Sequence, residues 1–168
     1  MPIILPPPDA DLLAPPGRLD FLDSQSVTLP RPLTAIEAWN RVMERPLPLL
    51  GLAFRIRDAI SARFGVKPVG GFSGLVRTTP QVGTMLDFFR VERATPEVLT
   101  LTARDRHLDV MTCITSHSGR LAITASVVTH NRFGRAYMLP VAPAHRLIVW
   151  LMLRRLARQM SAEGLGKA

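Results

Sequence analysis

The sequence has little of what most readily announces a function. Its 168 residues include a single cysteine, Cys113, so no internal disulfide can form. A lone thiol inside a strand pattern suits a reducing cytoplasm. No His or Cys spacing of the kind that builds a zinc site is present. Aromatic residues make up 6% of the chain and are not interleaved with basic ones. That removes the stacking platforms on which single-stranded nucleic acid is held. The longest apolar run, Leu147–Leu153, is shorter than the about 20 residues a bilayer demands. The first ten residues, MPIILPPPDA, lack the basic region of a signal peptide. These absences together lead us to expect a cytoplasmic protein with no transmembrane segment, metal or cofactor.

What is present is an ordinary globular composition, 47% hydrophobic and 20% charged, in a chain of single-domain length. The net charge of +8 raises nucleic acid or an anionic membrane as partners. Arginines greatly outnumber lysines, yet they are scattered from Arg18 to Arg158 with no run longer than two. Such scatter does not favour nucleic-acid binding.

Along the chain, residues 1–20 hold six of the fifteen prolines and read as an extended arm, residues 21–160 as one domain, and residues 161–168 as a flexible tail. A strand is expected at Phe21–Leu29. Thr34-Ala-Ile-Glu37 is a capping box, which starts a helix running to about Glu44. A second helix is expected over about Pro48–Phe64, with Gly65 as its C-terminal cap. From Val69 the apolar period changes to two. Gly70, Gly71 and Gly74 make VGGFSGLVR a weak strand, and neither the lysine nor the helix of a phosphate loop follows it. Further strands are expected at Thr84–Arg93, Glu97–Arg104, His107–Ser116, Arg120–His130 and Arg135–Leu139. Short turns at this spacing indicate an antiparallel meander. The last helix is expected over Pro143 to about Met160. Its start is apolar all round and its end is basic, with Leu147 and Leu151 on the stripe that ends in Arg154 and Arg158.

The turns fix the pairing. With Ser118-Gly119 as a two-residue loop, His117 faces Arg120, Cys113 faces Thr124, Met111 faces Ser126 and His107 faces His130. With Asp105-Arg106 as the loop before it, Arg104 faces His107 and Thr102 faces Asp109. Both hairpins then give one apolar face, including Leu99, Leu101, Ile114, Leu121 and Ile123. The opposite face is polar and partly wet, with Thr100, Thr102, Cys113, Thr124 and Ser126. The apolar face should meet the last helix. The fold class is therefore α+β, a helix-grip layout: a curved antiparallel sheet of about six to seven strands, a two-helix insertion after strand one and a long C-terminal helix.

The segments DRHLDVMTCI and VVTHNRFGRAYMLPVAPAHRLIV carry a resemblance. With AIEAWNRVMERPLPLLGLAFRIRDAISARFG and GTMLDFFRVERATPEVLTL, they resemble the bacterial domain-of-unknown-function 2867 family over about residues 20–160. The resemblance implies a fold near the START-like (SRPBCC) helix-grip proteins. Relatives of that wider class commonly hold an apolar ligand between sheet and last helix, and some are cyclases or dehydratases.

Three functions follow as expectations. The first is binding, without catalysis, of a small apolar or amphipathic molecule under the last helix, with Thr112, Thr129, Tyr137 and Trp150 as contributors. The second is a cyclase- or dehydratase-type enzyme that uses Arg104, His107, Asp109 and His130. In that case Asp109 would orient an imidazole for acid–base work. The register opposes it, because it puts His107, Asp109 and His130 on the polar face. The third is self-association, a homodimer, or partner binding through the polar sheet face or Leu147 and Leu151.

Overall fold

The computed structural model describes residues 5–44, 76, 78 and 80–165. A proline-rich arm with one 3-10 turn, Pro16–Arg18, leads into strand β1 (Phe21–Thr28) and helix α1 (Ala35–Glu44). Strands β2 (Met85–Leu86), β3 (Phe89–Ala94), β4 (Val98–Arg104), β5 (Leu108–His117) and β6 (Arg120–Thr129) follow, and then helix α2 (Arg132–Leu165). The strands form one six-stranded antiparallel sheet in the order β1-β6-β5-β4-β3-β2. The expected helix at about Pro48–Phe64 and the weak strand at Val69 lie outside the described residues. One helix, not two, is therefore described after strand one.

Helix α1 starts at the expected box. The Thr34 N–H donates to Glu37 Oε2 at 2.8 Å, and the Glu37 N–H donates back to Thr34 Oγ1 at 3.3 Å. Both Thr34 donors hold the Glu37 carboxyl below its ordinary pKa. The β5–β6 hairpin turns on Ser118 (φ 49°) and Gly119 (φ 79°), the two left-handed residues a two-residue loop requires. It pairs His117 with Arg120, Cys113 with Thr124 and Met111 with Ser126, as the spacing predicts.

The β4–β5 register differs from expectation: Arg104 pairs with Asp109 and Thr102 with Met111. The Asp105 carboxylate accepts the N–H groups of His107 (2.6 Å) and Leu108 (3.0 Å), which moves the turn one residue along. A slip that moves the sum of partners by two leaves every side chain on its predicted face.

Two further expectations are corrected. Thr84–Arg93 is not one strand, because Asp87 (φ 56°) turns it into the β2–β3 hairpin. Residues 135–139 are not a strand but early turns of α2, which begins at Arg132, not Pro143. Pro140 and Pro143 lie inside this helix. Both are exposed, so the carbonyls they leave without a helical donor can be solvated, and the helix tolerates them.

Both helices pack on the sheet's apolar face, called inner below. Leu99, Leu101, Ile114, Leu121 and Ile123 meet Ala35, Ala38, Trp39 and Met43 of α1 and Val149, Leu153, Leu156 and Met160 of α2. A smaller cluster joins Phe21, Ala125 and Val127 to Met138 and Ala142 near the start of α2. The outer face is not wet. Thr100, Cys113, Thr124 and Ser126 are at most 1% exposed. The proline-rich arm lies across them: the Asp11 N–H donates to Cys113 Sγ at 3.4 Å and the Leu13 N–H to Ser126 Oγ at 3.2 Å. Asp11 also accepts from Thr100 Oγ1 at 2.5 Å, and Asp9 meets His117 at 2.5 Å.

Candidate functional site

The sequence pointed to two places, a polar cluster at the strand ends and the space between sheet and last helix. At the strand ends the register pairs Arg104 with Asp109, and Asp109 with Val128, beside His130. Asp109 Oδ1 lies 3.2 Å from His130 Nε2, and Oδ2 lies 3.8 Å from Arg104 Nη1. Three of the four candidate catalytic residues thus meet, on the outer face. They are open: the Arg104, His130 and Asp109 side chains are 63%, 40% and 19% exposed.

His107 does not join them. As a turn residue it escapes strand alternation, and its ring packs at 4.6 Å on Phe133 of α2. Its Nδ1 meets Asn131, and its Nε2 accepts from Arg106 Nε at 3.0 Å. Its backbone carbonyl still accepts the His130 N–H at 2.8 Å, so the expected cross-strand pair exists in the main chain while the two rings diverge.

The distinctive segments at this end have a structural role. Asn131 caps α2: its Oδ1 accepts the Gly134 N–H at 3.0 Å, and its Nδ2 donates to the Arg106 carbonyl at 3.1 Å. Gly134 lets the helix start press on the β4–β5 turn, because a Cβ there would stand 2.3 Å from the His107 carbonyl oxygen. Asp20 ties in β6, with its carboxylate accepting the Thr129 N–H (2.6 Å) and hydroxyl (2.9 Å). Those two bonds, helped by the nearby Arg135 and His130 charges, hold the Asp20 carboxyl below its ordinary pKa.

The four expected ligand contributors are dispersed. Thr112 lies half-buried on the inner face between Leu101 and Ala125. Thr129 is committed to Asp20. Tyr137 stacks beside Phe133, with ring centroids 6.4 Å apart. Trp150 carries the Arg154 guanidinium over its ring at 4.1 Å and sits on the helix side of Leu147, away from the buried Val149, Leu153 and Leu156. Among the described residues, no group of three His, Cys, Asp or Glu could hold a metal ion.

The residues that sequence reasoning passed over, Asp23 and Gln25, are on β1 and meet Arg146 and His145 from the middle of α2. Asp23 and Gln25 point to the inner face, where Gln25 Nε2 donates to Asp23 Oδ2 (2.7 Å) and to the Arg146 carbonyl (3.0 Å). Arg146 Nε reaches Asp23 Oδ1 at 3.5 Å. Beside them the His145 ring stands edge-on to Phe21 at 5.7 Å. Its Nε2 is shut off from solvent and has no hydrogen-bond partner among the described residues. The alternation of β1 is the signal that could have flagged Asp23 and Gln25, since it places both among inward positions.

Burial pushes the His145 pKa down, against the opposing pull of Asp23 and with the help of Arg146. A His whose folded value lies below its unfolded one is protonated first in the unfolded chain. Its contribution is intact above the unfolded value of 6.5 and is lost as pH falls from there towards the lowered folded value. Urea midpoints should accordingly fall between pH 8 and pH 5 more steeply for the native chain than for His145→Phe. Parallel pH profiles would show that His145 has no part in the loss.

One comparison bears on the chain as a whole. The family model for a protein of unknown function, DUF2867, matches residues 15–152. The chain belongs to this family. No curated protein and no solved structure matches it. The matched span takes in the whole sheet, the Asp105 turn, the Asn131 cap and Gly134. In this chain the Asp105 turn, the Asn131 cap and Gly134 lock the helix start onto the sheet.

Proposed function

We propose that the protein binds a small apolar or amphipathic molecule between the inner sheet face and α2, and does not transform it. The observation that carries this reading is His145 Nε2: a polar atom enclosed on the inner side, beside Asp23 and Gln25, with no hydrogen-bond partner among the described residues. An enclosed imidazole nitrogen without a hydrogen bond is costly unless something else supplies one. Around it the inner face is apolar but not tightly closed: Leu108, Val110, Met138 and Ala142 are only partly buried against Phe21, Ala125 and Val127. A site of mostly apolar walls with a few fixed polar groups suits one small molecule with a single hydrogen-bonding end. The strand order, with β1 beside β6 and both helices on one face, supports a START-like helix-grip layout. The Arg104, Asp109 and His130 group faces the other side, in the open, and supplies no enclosed place for cyclase or dehydratase chemistry.

Native mass spectrometry of the purified protein tests the reading. A bound small molecule, released on denaturation, is expected for the native chain and should be absent from a folded His145→Phe variant. A folded native chain that stays at its bare mass after incubation with cell-extract lipids would sink the idea.

A further inference from the structure

Helix α2 buries one row of side chains and leaves another open. Val149, Leu153, Leu156 and Met160 face the core, at 2–4% exposure. On a 3.6-residue wheel, a second stripe lies about 120° round from that row. It runs through Arg132, Leu139, Leu147, Trp150, Arg154 and Arg158, within an arc of about 100°. Leu139 is 77% and Leu147 52% exposed. The helix is apolar and long enough, by length and composition, to cross a bilayer, yet only 17% of its most apolar stretch is buried in the protein. Its 34 residues hold six arginines and a single acidic residue, Glu163, which is turned to Arg41 (2.8 Å) and Arg31 (3.7 Å).

We infer that this stripe docks α2 flat on an anionic lipid surface. An in-plane helix needs an apolar stripe, basic side chains beside it and an amphipathic aromatic, and binds through buried area together with attraction to acidic headgroups. The stripe has leucines at its middle, arginines at both ends and Trp150 under Arg154. A spanning helix is the poorer reading, because the other side of α2 packs its buried row on the sheet and would have to give it up to lipid. A second copy is the poorer occupant. A two-fold contact through the stripe would bring two arginine-rich helices together in a chain of net charge +8. The inference does not depend on a ligand beneath α2, because the stripe faces away from the inner side.

Vesicle co-sedimentation with the full chain tests it. The protein should pellet with vesicles of mixed phosphatidylglycerol and phosphatidylcholine at low salt, should be released by high salt, and should stay in solution with phosphatidylcholine alone. The double variant Arg154→Gln/Arg158→Gln should partition roughly thirtyfold more weakly, about fivefold for each basic side chain near the surface. Leu139→Glu/Leu147→Glu should abolish pelleting; as both positions are exposed, its thermal melt should match the native one. Equal pelleting with neutral vesicles, or none with acidic ones, overturns the proposal. So does self-association that the leucine variant removes without any vesicle binding, which would make a second copy the occupant. Resistance of the bound protein to alkaline extraction also overturns it, in favour of a spanning helix.

Discussion

Gly134→Ala should unfold the protein at distinctly lower urea than the native chain. The added Cβ would stand 2.3 Å from the His107 carbonyl oxygen and 3.2 Å from its carbon. Both atoms are backbone, held in a turn whose N–H groups are already fixed by Asp105, so no side chain can swing aside. Overpacking of a rigid site costs about 1–3 kcal/mol, and this one belongs at the upper end. Against a typical total of about 5–15 kcal/mol, that is a large share of the fold's margin. Gly164 is the internal comparison: it also lies in α2, with nothing within 4 Å of an added Cβ. Alanine there, at the penultimate residue of the helix, should leave the midpoint within about 0.5 kcal/mol of native. Equal midpoints for the two variants would remove the close approach as the reason for glycine at 134.

The second large effect is on the outer face. Asp11→Ala removes the acceptor of the buried Thr100 hydroxyl and the 3.4 Å partner of Arg93. A hydrogen bond to a charged group is worth about 1.5–3 kcal/mol, so the arm's docking should weaken by about that much. Cys113 reports the change. It is fully buried, and burial pushes its thiol pKa up, which suppresses the reactive thiolate. Undocking reverses both conditions. The thiol-modification rate of Cys113 should rise about 10- to 150-fold, the factor that corresponds to that loss of docking. A variant lacking residues 1–14 should react faster still. Unchanged rates in both would mean that something other than the arm shields the thiol.

The arm shows where sequence reading stopped. Its prolines mark residues 1–20 as an extended arm without saying where the arm lies, and the alternation of β4–β6 by itself leaves a polar face that looks wet. Prolines also hold a segment extended at low entropic cost, and the donors between them, Asp11 and Leu13, are the ones that reach Cys113 and Ser126. Nothing local in the sequence says which surface such a segment will cover. The inner face was legible because period-two alternation and the Ser118-Gly119 turn are local signals that agree. The β4–β5 turn was one residue off because a side chain, Asp105, chose its position. The helix start expected at Pro143 follows proline's usual first-turn place, whereas the helix begins at Arg132 behind the Asn131 cap and runs through both prolines. In the site, the pairing of His107 with His130 was right for the backbone and wrong for the rings. Asp23, Gln25 and His145 come together across 120 residues, from a strand and a helix whose mutual placement only the folded chain sets.

The same Asp23 bears on how the sheet ends. An open antiparallel sheet has two outer strands, each a template on which another chain could extend it. Among the described residues one is β2, only two residues long and too short to serve as a template. The other is β1, which turns a carboxylate inwards at Asp23, where an added strand would have to bury it against apolar neighbours. Extension of the described sheet is thereby discouraged at both of its edges by different means, brevity at β2 and an inward carboxylate at β1.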